Sequence, residues 1–166
     1  MIRFINRLNE CIGRCVSWIN PVLVLLITIN VISRYFFSHS SAWMKELEWH
    51  LFSALFLLGA SYTLKHDEHV RVDILYQRFG LRTRAFVNLI GTLVFLLPGC
   101  FLVIWTSVPF VEMAWRFNEN SPDPGGIGMR YLLKAVLPFG FLLIIIQGLS
   151  LAITSFGQLF DKESDC

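Results

Sequence analysis

Charge is what this chain has little of. Lys, Arg, Asp and Glu make up 16% of its 166 residues, against roughly a quarter in an ordinary soluble domain, while hydrophobic residues make up 55%. With a mean hydropathy of +0.59, the natural solvent of such a sequence is lipid. A net charge of +2, spread along the edges of apolar runs, is too small for a nucleic-acid partner. Cysteine is scarce too. Cys11, Cys15, Cys100 and Cys166 form no CxxC pair and no zinc spacing, and Cys11 and Cys15, although four apart on one helix face, have no His or Cys companions. No redox chemistry, metal or cofactor is indicated. Internal repeats are also missing, and with them the inverted-repeat signature of a self-sufficient secondary transporter.

Long apolar runs are what the chain does have. A helix needs roughly 20 mainly apolar residues to cross about 30 Å of hydrocarbon. Four stretches meet that need, residues 18–37, 47–64, 85–108 and 131–156, and predict an all-α membrane protein of four transmembrane helices. The connections leave no room for a soluble catalytic or ligand-binding domain. Residues 1–16 read as an interfacial segment, with Ile5, Leu8, Ile12, Val16 and Ile19 near one face. The first apolar run is too long for a signal peptide and is expected to be retained. A second surface-helix pattern, Val72, Leu75, Tyr76 and Phe79, lies in the connection 65–84. Residues 109–130 are dense in turn formers, from Asn118 through Ser121-Pro122-Asp123-Pro124 to Gly128, and form the one true loop.

Basic residues set the orientation. Nine Lys and Arg fall at the N-terminus, in the second connection and in the tail, against five on the opposite side, so both termini are expected in the cytoplasm and the 109–130 loop in the periplasm. Trp43, Trp49, Trp105, Trp115, Tyr35 and Tyr131 mostly mark span ends, where amphipathic rings favour the headgroup level.

The span centres are nearly free of ionisable groups, which speaks against a substrate or ion path within this chain. Arg34 closes the first span, and Glu46 and Glu48 open the second, where the helix dipole favours anions; a pairing of Arg34 with one of these acids is expected. His50 is the lone histidine within a span, so a bis-histidine haem lacks its second ligand. The cluster from Lys65 to His69 reads as a solvated turn before it reads as a metal site. Gly59, Ala60, Ser61, Gly91, Gly140 and Gly148 read as surfaces for close helix approach, and Gln147, in mid-span, as a hydrogen-bonding partner of a neighbouring helix. Pro98-Gly99 and Pro138 are expected to kink their helices.

Several of these strings together carry a resemblance. Arg34-Tyr35-Phe36, then Trp43-Met44-Lys45-Glu46-Leu47-Glu48-Trp49, the Leu51–Ala60 run and His69-Val70-Arg71-Val72-Asp73 resemble the small permease subunit of tripartite ATP-independent periplasmic (TRAP) transporters. Ser121-Pro-Asp-Pro-Gly125-Gly126, Lys134, Pro138-Phe-Gly140 and Gln147-Gly148 are similar to a branch labelled for mannitol, chloroaromatic or 2-oxo acid uptake. The resemblance implies a bacterial inner-membrane scaffold subunit that pairs with a large (M-type) permease carrying the sodium and substrate sites and moving as an elevator. It also implies a periplasmic substrate-binding protein as a partner, with membrane lipids around the complex. By position it gives Arg34, Trp43, Glu46, Glu48, Gly59 and Gln147 a partner-binding or scaffold role. His69, Arg71 and Asp73 fall at the cytoplasmic boundary, and Trp115, Glu119 and Asp123 become candidates for docking the binding protein.

The rivals each lack a part. A small multidrug exporter needs an acid inside its first span, and a thiol oxidase needs paired outward-facing cysteines. An accessory or assembly subunit of another four-helix complex fits the packing residues equally well.

Overall fold

The computed structural model describes residues 2–38, 41–66 and 79–160, and all regular structure among them is helical. Helices α1 (Ile2–Ser17) and α2 (Ile19–Phe37) are joined by Trp18, which keeps helical torsions (φ −68°, ψ −16°), so the two form one rod of 36 residues. It stops where Ser38 turns left-handed at φ 51°. Helix α3 (Ala42–Lys65) follows. A third rod comprises α4 (Leu81–Ile90), a π-helical turn (Gly91–Leu96) and α5 (Leu97–Arg116). The fourth is α6 (Arg130–Phe160). The π turn ends two residues before Pro98, whose missing N–H and bulky ring break the regular ladder one turn back; a wider turn absorbs the break.

Three rods are long and apolar enough to cross a membrane: Ile2–Phe37, Arg82–Arg116 and Arg130–Leu159. At 24 residues, or about 36 Å, α3 has the length, but Glu46, Glu48 and His50 in its first turns dilute its apolar character. The surface-helix pattern at Val72, Leu75 and Tyr76 lies outside the described residues, as do His69, Arg71 and Asp73.

The rods pack as an up-and-down bundle, with α3 between the first rod and α6, and the third rod against α6. Charged contacts mark its two ends. At one, Glu10 of α1 pairs with Lys65 and, at 3.1 Å, with His66 where α3 finishes. At the other, Glu46 near the start of α3 meets Arg130 at the start of α6. The first rod is therefore antiparallel to α3, and α3 is parallel to α6.

Among the described residues the interior mixes a few aliphatic side chains, Val16, Leu23, Leu64 and Leu143, with small and polar ones. The largest fully buried side chains are Asn9, Ser61, Ser150 and Ser155, while Phe36 and Phe95 stand outside. Lipid removes the hydrophobic drive between helices, so close backbone approach and interhelical hydrogen bonds take over. Gly140 lies against α3 such that a Cβ there would fall 2.8 Å from the Leu57 carbonyl oxygen; at Gly148 it would fall 2.7 Å from Leu96, and at Gly13, 2.2 Å from Tyr62. Gly59 and Gly91, read from the sequence as equivalent, face open space.

Helix α1 is oriented by polar residues. It turns Asn9, Gly13 and Val16 into the bundle, with Ile5 and Ile12 half-buried beside them and Phe4 and Leu8 outside; the expected surface helix is instead the first part of the rod that continues into α2. Asn9 Nδ2 donates to Gln147 Oε1 at 2.7 Å, Gln147 Nε2 donates to Asn6 Oδ1 at 3.2 Å, and the Ser150 hydroxyl reaches the same oxygen at 3.4 Å. Replacing Gln147 by Leu strands the Asn9 amide in a dry interior. A loss of about 1–3 kcal/mol is expected, seen as a lower thermal midpoint in detergent.

Candidate functional site

Glu46 sits just before the apolar stretch 47–64 and is only 4% exposed. A carboxylate there needs donors, and they come from a distant part of the chain. The Ser121 hydroxyl donates to Oε1, the Ile127 backbone N–H donates to Oε2 at 2.5 Å, and Arg130 Nη2 approaches Oε1 at 3.4 Å. The segment between α5 and α6 is thereby folded onto the end of α3.

Its own turn chemistry lets it do so. Asn118 takes φ 44°, the Glu119 N–H bonds back to the Ala114 carbonyl, and the Glu119 carbonyl accepts from the Arg130 N–H at 3.1 Å, closing the loop's neck. Gly125, at φ 77°, makes the turn that brings the Gly126 N–H to the Asp123 carbonyl. Ser121 Oγ accepts from the Asp123 N–H while it donates to Glu46. A side chain at Gly126 would strike Ser121 Oγ at 2.2 Å and Glu46 Oε2 at 2.7 Å, so only glycine admits the carboxylate.

Other contacts brace the same end. Lys134 pairs with Glu119 and lies 3.9 Å from the centre of the Phe110 ring. Arg130 lies over Trp49 at 5.4 Å, and Trp115 meets Tyr131 edge to face at 4.6 Å. His50 donates through Nδ1 to the Glu46 carbonyl at 2.6 Å, which commits that nitrogen within its own helix.

The hydrogen bond from Ser121, then the Ile127 N–H, hold the Glu46 carboxyl below its ordinary value of 4.5, and the Arg130 charge adds to them. A depressed carboxyl contributes stability that is complete above 4.5 and declines as pH falls toward the lower folded value. The thermal midpoint is therefore expected to fall on acidification below about pH 4.5, with a shallower fall in Glu46→Gln.

The structure groups only some of the residues singled out by sequence. Glu46 and Glu119 belong to the clamp and Trp115 to its rim, while Asp123 stands exposed on the turn. Glu48 accepts from Asn30 at 2.6 Å, and Arg34 lies over the neighbouring Tyr35 ring at 5.3 Å; the expected Arg34 pairing with these acids gives way to those contacts. Trp43 is half exposed. Gly59 lines a cavity of about 550 Å³ between α1 and α3, and Gln147 holds α1 at the far end. Sequence reasoning missed Ser121, Ile127 and Arg130 as partners of Glu46, and Asn6 and Asn9 as partners of Gln147. The available signal was an acid opening an apolar helix with no Lys or Arg on its own face.

Comparison with known proteins agrees with this architecture. Residues 23–157 match the profile of the family described as tripartite ATP-independent periplasmic transporters, DctQ component. The C4-dicarboxylate TRAP transporter small permease protein DctQ of Vibrio cholerae is 27% identical over 82% of this chain and 67% of its own length. A putative TRAP transporter small permease protein of Haemophilus influenzae is 27% identical over 82% of this chain and 81% of its own. The isethionate TRAP transporter permease protein DctMQ of Oleidesulfovibrio alaskensis is 26% identical over 75% of this chain, a match that covers 20% of that longer protein. With an all-helical apolar bundle and a profile match over most of its length, the chain belongs to the DctQ family of TRAP transporter small permeases.

Proposed function

We propose that this chain is the scaffold subunit of a sodium-coupled importer, bracing a large elevator-type permease that takes up an organic acid from a periplasmic binding protein. The observation that carries the reading is the distribution of ionisable groups. No charged side chain or histidine lies between Arg14 and Arg34, His50 and Lys65, Arg84 and Glu112, or Lys134 and Phe160. Ion-coupled transport needs such groups or broken helices near the middle of the membrane, so the moving parts belong to a partner. The isethionate relative, named as a DctMQ permease and far longer than its match to this chain, supports a large partner.

Exposure points the same way. In the most apolar stretches of the first and third rods only 11% of residues are buried within the chain, against 33% in α6, which leaves wide faces for the permease and for lipid. We place both termini in the cytoplasm and the Glu46 end in the periplasm. There Trp115, Glu119 and Asp123 offer the binding protein a loop that Glu46 has already ordered, and we assign His69, Arg71 and Asp73 to the cytoplasmic boundary by the sequence pattern alone.

The test is co-purification from the native operon. A large permease retained in fixed ratio, with sodium-dependent uptake when the binding protein is added to proteoliposomes, is the expected result. A homo-oligomer without such a partner overturns the reading.

A further inference from the structure

A second feature of the Glu46 end does not depend on the transport reading, because it lies wholly within this chain. Helices α3 and α6 touch where Gly140 meets the Leu57 backbone, and from that crossing both run toward the Glu46 end. Eight residues of α3, from Leu57 to Trp49, and ten of α6, from Gly140 to Arg130, carry them about 12–15 Å from the contact. Between them is a cavity of about 310 Å³. Its walls are Ser53 and Leu57 of α3, Leu133 and Leu137 of α6, and Phe110 of α5, and its mouth holds Trp49, Arg130, Lys134 and Glu119. An apolar interior under a charged mouth, at the depth of an aromatic belt, has the polarity of a lipid headgroup boundary.

The charges at the mouth are unevenly satisfied. Lys134 and Glu119 pair with each other. Arg130 has five donors, yet its partner Glu46 stands at 3.4 Å and already accepts from Ser121 and Ile127, and Arg130 Nε is buried with no acceptor. Lys134 with Glu119 and Arg130 with Glu46 balance in charge, but the Arg130 guanidinium keeps N–H groups without an acceptor. We infer that the cavity binds one glycerophospholipid, its phosphodiester on the Arg130 guanidinium and the start of an acyl chain between Leu57, Leu133 and Leu137. The oxygens of a phosphodiester match a guanidinium edge and supply the acceptor that Arg130 Nε lacks.

The test uses the full chain, with whatever permease co-purifies, stripped of lipid in a maltoside detergent. Three probes are added separately: dioleoylphosphatidylethanolamine, dioleoylglycerol with the same chains but no phosphate, and sodium phosphate. The phospholipid alone should raise the thermal midpoint, by about 5–10 °C at a hundredfold excess over Kd. Ser53→Phe, which fills the cavity without touching the clamp, and Arg130→Gln should both lose that rise. An equal rise with dioleoylglycerol means the chains alone bind, and an equal rise with phosphate means a free-anion site; either overturns the inference. So does an undiminished response in Ser53→Phe. Should either variant fail to fold, the three probes on the unmodified chain still decide.

Discussion

Glu46→Ala is expected to release the loop 117–129 from the end of α3 while leaving the rods packed. Among the described residues, the carboxylate alone ties Ser121, Ile127 and Arg130 to α3 at once. Without it the Ile127 amide loses its partner and should exchange with solvent roughly ten- to a hundredfold faster, the factor expected for one lost charge-assisted hydrogen bond. Glu46→Gln should fall between, for a reason of geometry. An amide keeps one acceptor for the Ile127 N–H, and Ser121 can rotate its hydroxyl to accept from the new NH2, but Arg130 then faces a donor. The measurement is hydrogen exchange across 117–129, with limited proteolysis as a second readout. Unchanged protection at Ile127 in Glu46→Ala would remove the clamp from the account. If the loop is the docking surface, the same variants should weaken uptake from the binding protein more than they weaken assembly with the permease.

Hydropathy made the apolar rods legible because span length depends on the local sequence alone. It could not give the clamp, since the partners of Glu46 lie 75, 81 and 84 residues further along the chain. The acid and the turn-rich segment were each visible, but nothing in either string says that one wraps the other. The same limit explains Arg34. Charge complementarity across the first connection pointed to Glu46 or Glu48, yet Asn30, one turn deeper in the same helix, takes Glu48 instead. For α1 the apolar periodicity indicated a helix lying along the membrane surface, but Trp18 keeps helical torsions and the chain runs straight on into α2, and the polar contact of Asn9 with Gln147 then holds α1 in the bundle. Pro98 was expected to kink its helix, and the chain meets it with a π turn, a local solution that composition does not specify.

The glycines extend that contrast into a prediction. Gly59 and Gly140 were indistinguishable as small residues in apolar helices, but a methyl at Gly140 would stand 2.8 Å from the Leu57 carbonyl oxygen, and one at Gly59 would meet nothing within 4 Å. Backbone cannot rotate aside as a side chain can, so Gly140→Ala must push α6 from α3. The expected loss is about 1–3 kcal/mol, or roughly 2–12 °C in thermal midpoint for a chain of this size. Gly140→Leu should do more and reach the clamp, because Glu46 and Arg130 stand on the two helices being separated. Gly59→Ala should change the midpoint little, or raise it slightly through better helix propensity. Measured side by side in the same detergent, a large drop at 140 with none at 59 confirms that the α3–α6 crossing sets the geometry of the Glu46 end. Equal drops would mean that both glycines serve a contact outside this chain, and Gly59, which opens on the cavity beside α1, would then mark where the permease packs.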